Sequence, residues 1–144
     1  MVIMKKVNEN IDFVLREYRT IAVVGLSPNP DRASNSVAKK MQRKGYKVIP
    51  VNPGQDEILG EKCYPSLLDI PEKVDLVNVF RPAEVTEPIA EQAVQIGAKG
   101  LWLQLGIIND KAAQIALAGG LDVVMDRCWS IEFNFLKEEE PKTQ

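Results

Sequence analysis

Thr20–Leu26 (TIAVVGL) followed by Ser27–Asn35 (SPNPDRASN) decides how the chain is built. The first stretch is apolar and β-branched without alternation, the pattern of a strand covered on both faces. The second breaks it at once with Pro28 and Pro30, so a loop follows. Beyond the loop, Val37, Ala38 and Met41 recur at helical spacing as far as Lys44. Ser34 or Asn35 can cap that helix, and Gly45 lies just past its end. Strand, loop and helix in this order open a right-handed strand–helix–strand unit.

The same succession continues outward. Lys47–Val51 (KVIPV), Asp75–Phe80 (DLVNVF), Gly100–Leu105 (GLWLQL) and Leu121–Met125 (LDVVM) are further strand-length apolar runs. Helical stretches separate them, from Pro82 or Ala83 to Ile96 and from Asn109 to Leu117, closed by Gly97 and by Gly119 and Gly120. Pro88 makes the first of these begin late or bend. Upstream, Val7, Ile11, Val14, Leu15 and Tyr18 form one apolar stripe, which predicts an opening helix over residues 7–19. Between Gly54 and Lys73 the pattern is less regular, with a short extension over Ile58–Cys63 and a turn of helix over Ser66–Leu68. The expected fold is α/β: a Rossmann-like, doubly wound, five-stranded parallel sheet in the order 3-2-1-4-5 with helices on both faces. One domain takes up residues 1–136, and Lys137–Gln144 (KEEEPKTQ) is too polar to pack and is expected to be disordered.

Composition narrows the function. Among 144 residues, 18 are basic and 20 acidic, a net charge of -2, which gives no field to attract nucleic acid or an anionic membrane. No apolar run approaches the roughly 20 residues that span a bilayer, and residues 1–6 lack the apolar segment of a signal peptide. A cytoplasmic protein with neither nucleic-acid nor membrane partner is expected. Cys63 and Cys128 have no C-x-x-C neighbour, so neither a disulfide framework nor a metal site is indicated. The chain has no histidine. That removes Ser-His and Cys-His dyads, histidine ligands and phosphohistidine chemistry together.

In an open parallel sheet, ligands bind beyond the carboxyl ends of the strands where the strand order reverses. In the expected order this lies between the first strand and its fourth-strand neighbour. The rim residues are then Gly25–Asn35, Asn52–Gln55, Phe80–Glu84, Gln104–Asn109 and Asp126–Trp129. A dinucleotide site would show G-x-G-x-x-G in the first loop and an acid after the second strand. The chain has GLSPNPDRASN and Asn52 instead. Gly25 permits close backbone approach, while Ser27, Arg32 and the helix start near Ser34 are candidate phosphate contacts, the alternative being a solvated turn. Pro82 fixes a turn after the next strand. There Phe80 faces either a ligand ring or the core, and Arg81 is either a second phosphate contact or a surface charge. Gln104 is either a hydrogen-bonded fold element or a reader of a ligand edge. Cys128 has no histidine to activate it and is expected to be packed and inert.

Taken together, GLSPNPDRASNSVAKKMQRKGYKVIPVNP from Gly25, GEKCYPSL from Gly60, DLVNVFRP from Asp75, GAKGLWLQLGI from Gly97 and VVMDRC from Val123 resemble one family. It is the family of small stand-alone CoA-binding proteins, related to the CoA-binding domain of the succinyl-CoA synthetase alpha subunit. The resemblance runs from Val14 to Glu132. It implies a Rossmann-like domain whose strand-end loops hold the adenosine and pyrophosphate of coenzyme A. Carried onto this chain, the contacts are Gly25, Leu26, Ser27 and Arg32 in the first loop, Asn52 and Pro53 in the second, Phe80, Arg81 and Pro82 in the third, and Leu103, Gln104 and Leu105 in the fourth. Two departures stand out: Gln55 replaces a lysine of the synthetases, and their phosphorylated histidine and second domain are missing. The implied function is binding of coenzyme A or an acyl-CoA without catalysis of its own. The alternatives are an NAD(P)-dependent oxidoreductase, with Arg32 on a 2′-phosphate, and the CoA-binding subunit of a multi-chain acyl-CoA enzyme. That last reading, with a partner subunit supplying catalysis, is favoured if Trp102, Trp129, Phe133 and Phe135 form an exposed apolar patch; a homodimer is left open.

Overall fold

In the computed structural model, which describes residues 4–136, the five apolar runs pair as one parallel sheet. The tail 137–144 lies outside the described residues. In chain order the elements are α1 (Ile11–Glu17), β1 (Thr20–Val24), α2 (Ala33–Arg43), β2 (Lys47–Val51), β3 (Glu57–Ile58), β4 (Glu61–Lys62), β5 (Leu76–Val79), α3 (Thr86–Gln95), β6 (Gly100–Leu103), α4 (Asp110–Ala118), β7 (Asp122–Met125) and α5 (Trp129–Asn134). Short 3-10 turns occupy Leu67–Asp69 and Ala83–Val85. The second of these delays α3, and Pro88 falls in its first turn, where a missing N–H costs nothing.

The sheet runs β2-β1-β5-β6-β7. The sequence reading counts Asp75–Phe80 as the third strand; the structure makes it the direct neighbour of β1, on the side away from β2. Over these five strands alone the order is therefore 2-1-3-4-5. The 3-2-1-4-5 type of arrangement, continued by β7 as a sixth strand, follows once the parallel bridge between Val51 and Tyr64 is counted as a third strand outside β2, because β5 then becomes the fourth. That outer strand is reduced to one position, held by Tyr64 N–H to Pro50 O and Asn52 N–H to Tyr64 O. It follows the small β3–β4 hairpin, turned by Leu59 and Gly60, both at positive φ.

Alternate strand residues feed two cores. Ile21, Val23, Leu76, Trp102 and Val124 pack with residues of α1, α2 and α5, while Ala22, Val24, Val77, Val79, Leu101 and Leu103 pack with residues of α3 and α4. Each such side chain taken fully from water contributes about 1.5–3 kcal/mol, which is why these runs have no polar face.

The opening helix is shorter than its apolar stripe predicts. Asn8 adopts a left-handed φ of 63° and lies beside β7 instead: its N–H donates to Val123 O at 2.8 Å, its Nδ2 to Met125 O at 3.1 Å, and its Oδ1 accepts from Met125 N–H at 2.8 Å. Pairing with the outer strand outweighs helical spacing at residues 7–10. The first residue of β7 is a buried acid: Asp122, 3% exposed, accepts from Tyr18 OH and from Asn10 Nδ2 and pairs with Lys5.

Candidate functional site

A groove of about 520 Å³ opens at the carboxyl ends of β1, β2 and β5, where the strand order reverses. Gly25, Ser27, Asn52, Pro53 and Arg81 line it, as the sequence reading expects, together with Pro65, Ser66, Leu67, Val85, Pro88, Ile89 and Gln92. The sequence reading assigns the second group no site role. Pro65–Leu67 stands in the quoted stretch GEKCYPSL, which was the available signal; Pro88, Ile89 and Gln92 share a helix whose turns read as packing.

Glycine is required at position 25. Its φ is +84°, and a Cβ there would stand 2.4 Å from Phe80 O and 3.0 Å from Arg81 Cδ. A bare backbone thus lets the first loop and the turn after β5 meet. The first loop is braced from within: Ser27 N–H donates to Ser34 Oγ at 3.0 Å, Asn35 Nδ2 to Ser27 O at 2.9 Å, and Asn29 N–H to Ser27 Oγ at 3.1 Å. Ser34 and Asn35 are buried inside the first turn of α2, whose N-cap is Arg32; they fasten the loop rather than cap the helix.

Asn52 joins three segments. Its Nδ2 donates to Leu26 O at 3.0 Å, its Oδ1 accepts from Gly54 N–H at 2.9 Å, and its carbonyl accepts from the Cys63 thiol at 3.4 Å. Burial pushes the Cys63 thiol above its ordinary range, so it packs as a neutral group.

The two arginines differ in position. Arg81 lines the groove, while Arg32 is exposed and outside it. Neither guanidinium has an acidic partner among the described residues. An unpaired planar cation at the mouth of an apolar groove is a site for a phosphate or carboxylate.

Four of the remaining sequence candidates, Leu26, Phe80, Leu103 and Gln104, sit deeper. Leu26 and Leu103 are fully buried, Phe80 is half-buried against the α2 side, and Pro82 is exposed ahead of the 3-10 turn. Gln104 is 4% exposed; its Nε2 donates to Asn78 Oδ1 at 2.8 Å and its Oε1 accepts from Trp129 N–H at 3.3 Å. Of its two readings, this is the hydrogen-bonded fold element. The proposed aromatic patch does not form, since Trp102 and Trp129 are both 0% exposed and Trp129 stacks on Phe133; Phe135 alone projects. Cys128 is half-buried with the same core. Among the described residues no cluster of acids or cysteines could hold a metal ion, and no helix is long and apolar enough to cross a membrane.

Three likenesses bear on this arrangement. The chain is 45% identical over 115 residues to the uncharacterized protein YneT of Bacillus subtilis, covering 80% of this chain and 85% of that one. A hypothetical protein from Pyrococcus horikoshii has the same fold with a TM-score of 0.86 and 40% identity, covering 94% of this chain and 99% of that one. Acetate–CoA ligase [ADP-forming] II of Archaeoglobus fulgidus is 36% identical over 84 residues, 57% of this chain but only 12% of the ligase. The family model described as the CoA binding domain matches residues 19–134, a span that holds the whole sheet and every residue lining the groove. The chain belongs to the CoA-binding domain family.

Proposed function

We propose that the groove holds the adenosine and phosphate end of coenzyme A or an acyl-CoA, and that the protein binds this ligand without transforming it. The observation that carries the reading is Arg81, a guanidinium without an acidic partner among the described residues, on a groove whose apolar wall includes Val24, Val51, Pro65, Leu67, Val85 and Ile89. Those apolar side chains suit the flat faces of adenine, and Arg81 suits a phosphate. The bare backbone at Gly25 lets the ligand approach the strand ends. Binding without reaction accords with the lining itself, whose polar side chains are Ser27, Asn52, Ser66, Arg81 and Gln92. None of these is an acid or base suited to proton transfer near neutral pH. The family match and the ligase relative support the choice of coenzyme A over other nucleotides.

Calorimetric titration of the purified chain with coenzyme A, dephospho-coenzyme A and NADP tests this. Coenzyme A is expected to bind tightest, dephospho-coenzyme A about tenfold more weakly for want of one phosphate contact, and NADP weakest. NADP binding above coenzyme A would refute the reading. Incubation with ATP, acetate and coenzyme A is expected to yield no thioester; turnover by this chain alone would overturn the non-catalytic part.

A further inference from the structure

Leu105 and Ile108 are 63% and 54% exposed, two large apolar side chains held out in water on one short loop after β6. The loop has a fixed shape. Ile107 N–H donates to Gln104 O at 2.9 Å, and Gly106, at a left-handed φ of +83°, donates its N–H to Asp126 Oδ1 at 2.7 Å. Asn109 Nδ2 donates to Ala83 O at 2.9 Å. That last bond fastens the loop to the turn that carries Arg81 and Val85 into the groove, so the apolar ledge is tied to the groove's β5 side. Neighbouring strands lie about 4.8 Å apart, which puts the end of β6 one strand beyond the end of β5.

The charges along this stretch of rim are mostly negative. Glu84 and Asp110 are exposed, and Asp126 is half-buried. Arg127 is engaged, donating to Asp126 O at 2.9 Å and lying 3.7 Å from Glu132; Lys111 is exposed next to Asp110 on α4 and offsets one of these acids. Apolar side chains kept exposed by a rigid loop gain most from an apolar ligand, and a carboxylate placed there meets acids.

We propose, on the coenzyme A reading of the groove, that Leu105 and Ile108 contact the acyl end of a bound thioester, and that the site favours an uncharged aliphatic acyl group over a dicarboxylic one. With its phosphates at Arg81 and its adenine between the groove walls, the ligand's flexible arm passes along the rim to the β6 loop. The aliphatic chain covers Leu105 and Ile108 there, and a terminal carboxylate would face Glu84, Asp110 and Asp126.

The test is calorimetry with coenzyme A, hexanoyl-CoA and succinyl-CoA on the parent chain, on Leu105→Ser/Ile108→Ser and on Leu68→Ser. Leu68 is an exposed apolar side chain on the 3-10 turn Leu67–Asp69, away from the β6 loop in sequence, and serves as the control. Each protein is read by its own ratio of affinities. In the parent, hexanoyl-CoA is expected to bind about tenfold tighter than coenzyme A, and succinyl-CoA no tighter than coenzyme A. In the double variant the hexanoyl preference falls to about one; in Leu68→Ser it stays. Equal binding of coenzyme A and hexanoyl-CoA by the parent would overturn this inference and leave the groove reading intact. Failure of coenzyme A itself to bind would overturn both. Sedimentation showing a dimer of the parent that the double variant loses would assign the ledge to a second copy of the chain and overturn the inference.

Discussion

The two ends of the sheet treat charge in opposite ways. At the amino-terminal end, Asp122 is surrounded by Tyr18, Asn10 and Lys5, and Asp75 accepts the N–H groups of Arg19 and Thr20 at 3.1 Å each and pairs with Lys99. At the carboxyl end, Arg81 reaches a groove with no acid beside it among the described residues. A buried charge without partners costs several kcal/mol, so the first arrangement holds the fold. An exposed charge over an apolar groove costs little and stays available for a ligand. The difference separates residues kept for stability from residues kept for binding.

Asp122→Ala attacks the satisfied end. It leaves the Tyr18 hydroxyl and the Asn10 amide without their acceptor, so stability should fall by roughly 2–4 kcal/mol and the midpoint of melting by roughly 5–12 °C, with coenzyme A affinity of the folded protein unchanged. Thermal unfolding and calorimetry on the same samples check both halves; a loss of affinity in the folded protein would erase the distinction between the ends.

Arg81→Ala attacks the other end. Coenzyme A affinity should drop about 10- to 100-fold, as for loss of a charge-assisted hydrogen bond, while melting stays within a few degrees of the parent. Arg32→Ala should cost only about two- to fivefold, since Arg32 is an exposed charge outside the groove and is screened by water. A larger loss at Arg32 than at Arg81 would move the anion to the loop before α2.

An effect of similar small size is expected at Tyr18. Burial, and then its hydrogen bond to Asp122, raise its hydroxyl well above the ordinary 10.0. The unfolded chain therefore releases this proton first. The stability it confers is complete below pH 10 and is lost as pH rises beyond that. Tyr18→Phe should lose about 1 kcal/mol at neutral pH and fall less steeply than the parent in denaturant titrations between neutral and strongly alkaline pH.

The strands were legible because both faces of each are covered, which leaves unbroken runs such as TIAVVGL. The rim was legible too, since Gly25, Asn52 and Arg81 interrupt the pattern where strands end. What escaped was set by contacts distant in sequence. Residues 7–10 have helical spacing, yet Asn8 bonds to Met125, and local periodicity holds no trace of that partner. The strand at Tyr64 is one bridge long, too short to alternate, so the count of strands shifted by one. Gln104 left two readings open because an amide on an apolar strand looks the same whether it meets Asn78 or a ligand.

Asn8 has a further consequence. By offering both amide atoms to Met125, it occupies the hydrogen-bonding groups that the outer side of β7 would otherwise present to any passing extended chain. Tyr64 does the same at the opposite margin of the sheet, beside β2. Exposed strand margins are where proteins join side by side into fibres. With each margin closed by a residue of the same chain, a protein that keeps an open groove and an apolar ledge at one end of its strands stays guarded against growth along its flanks.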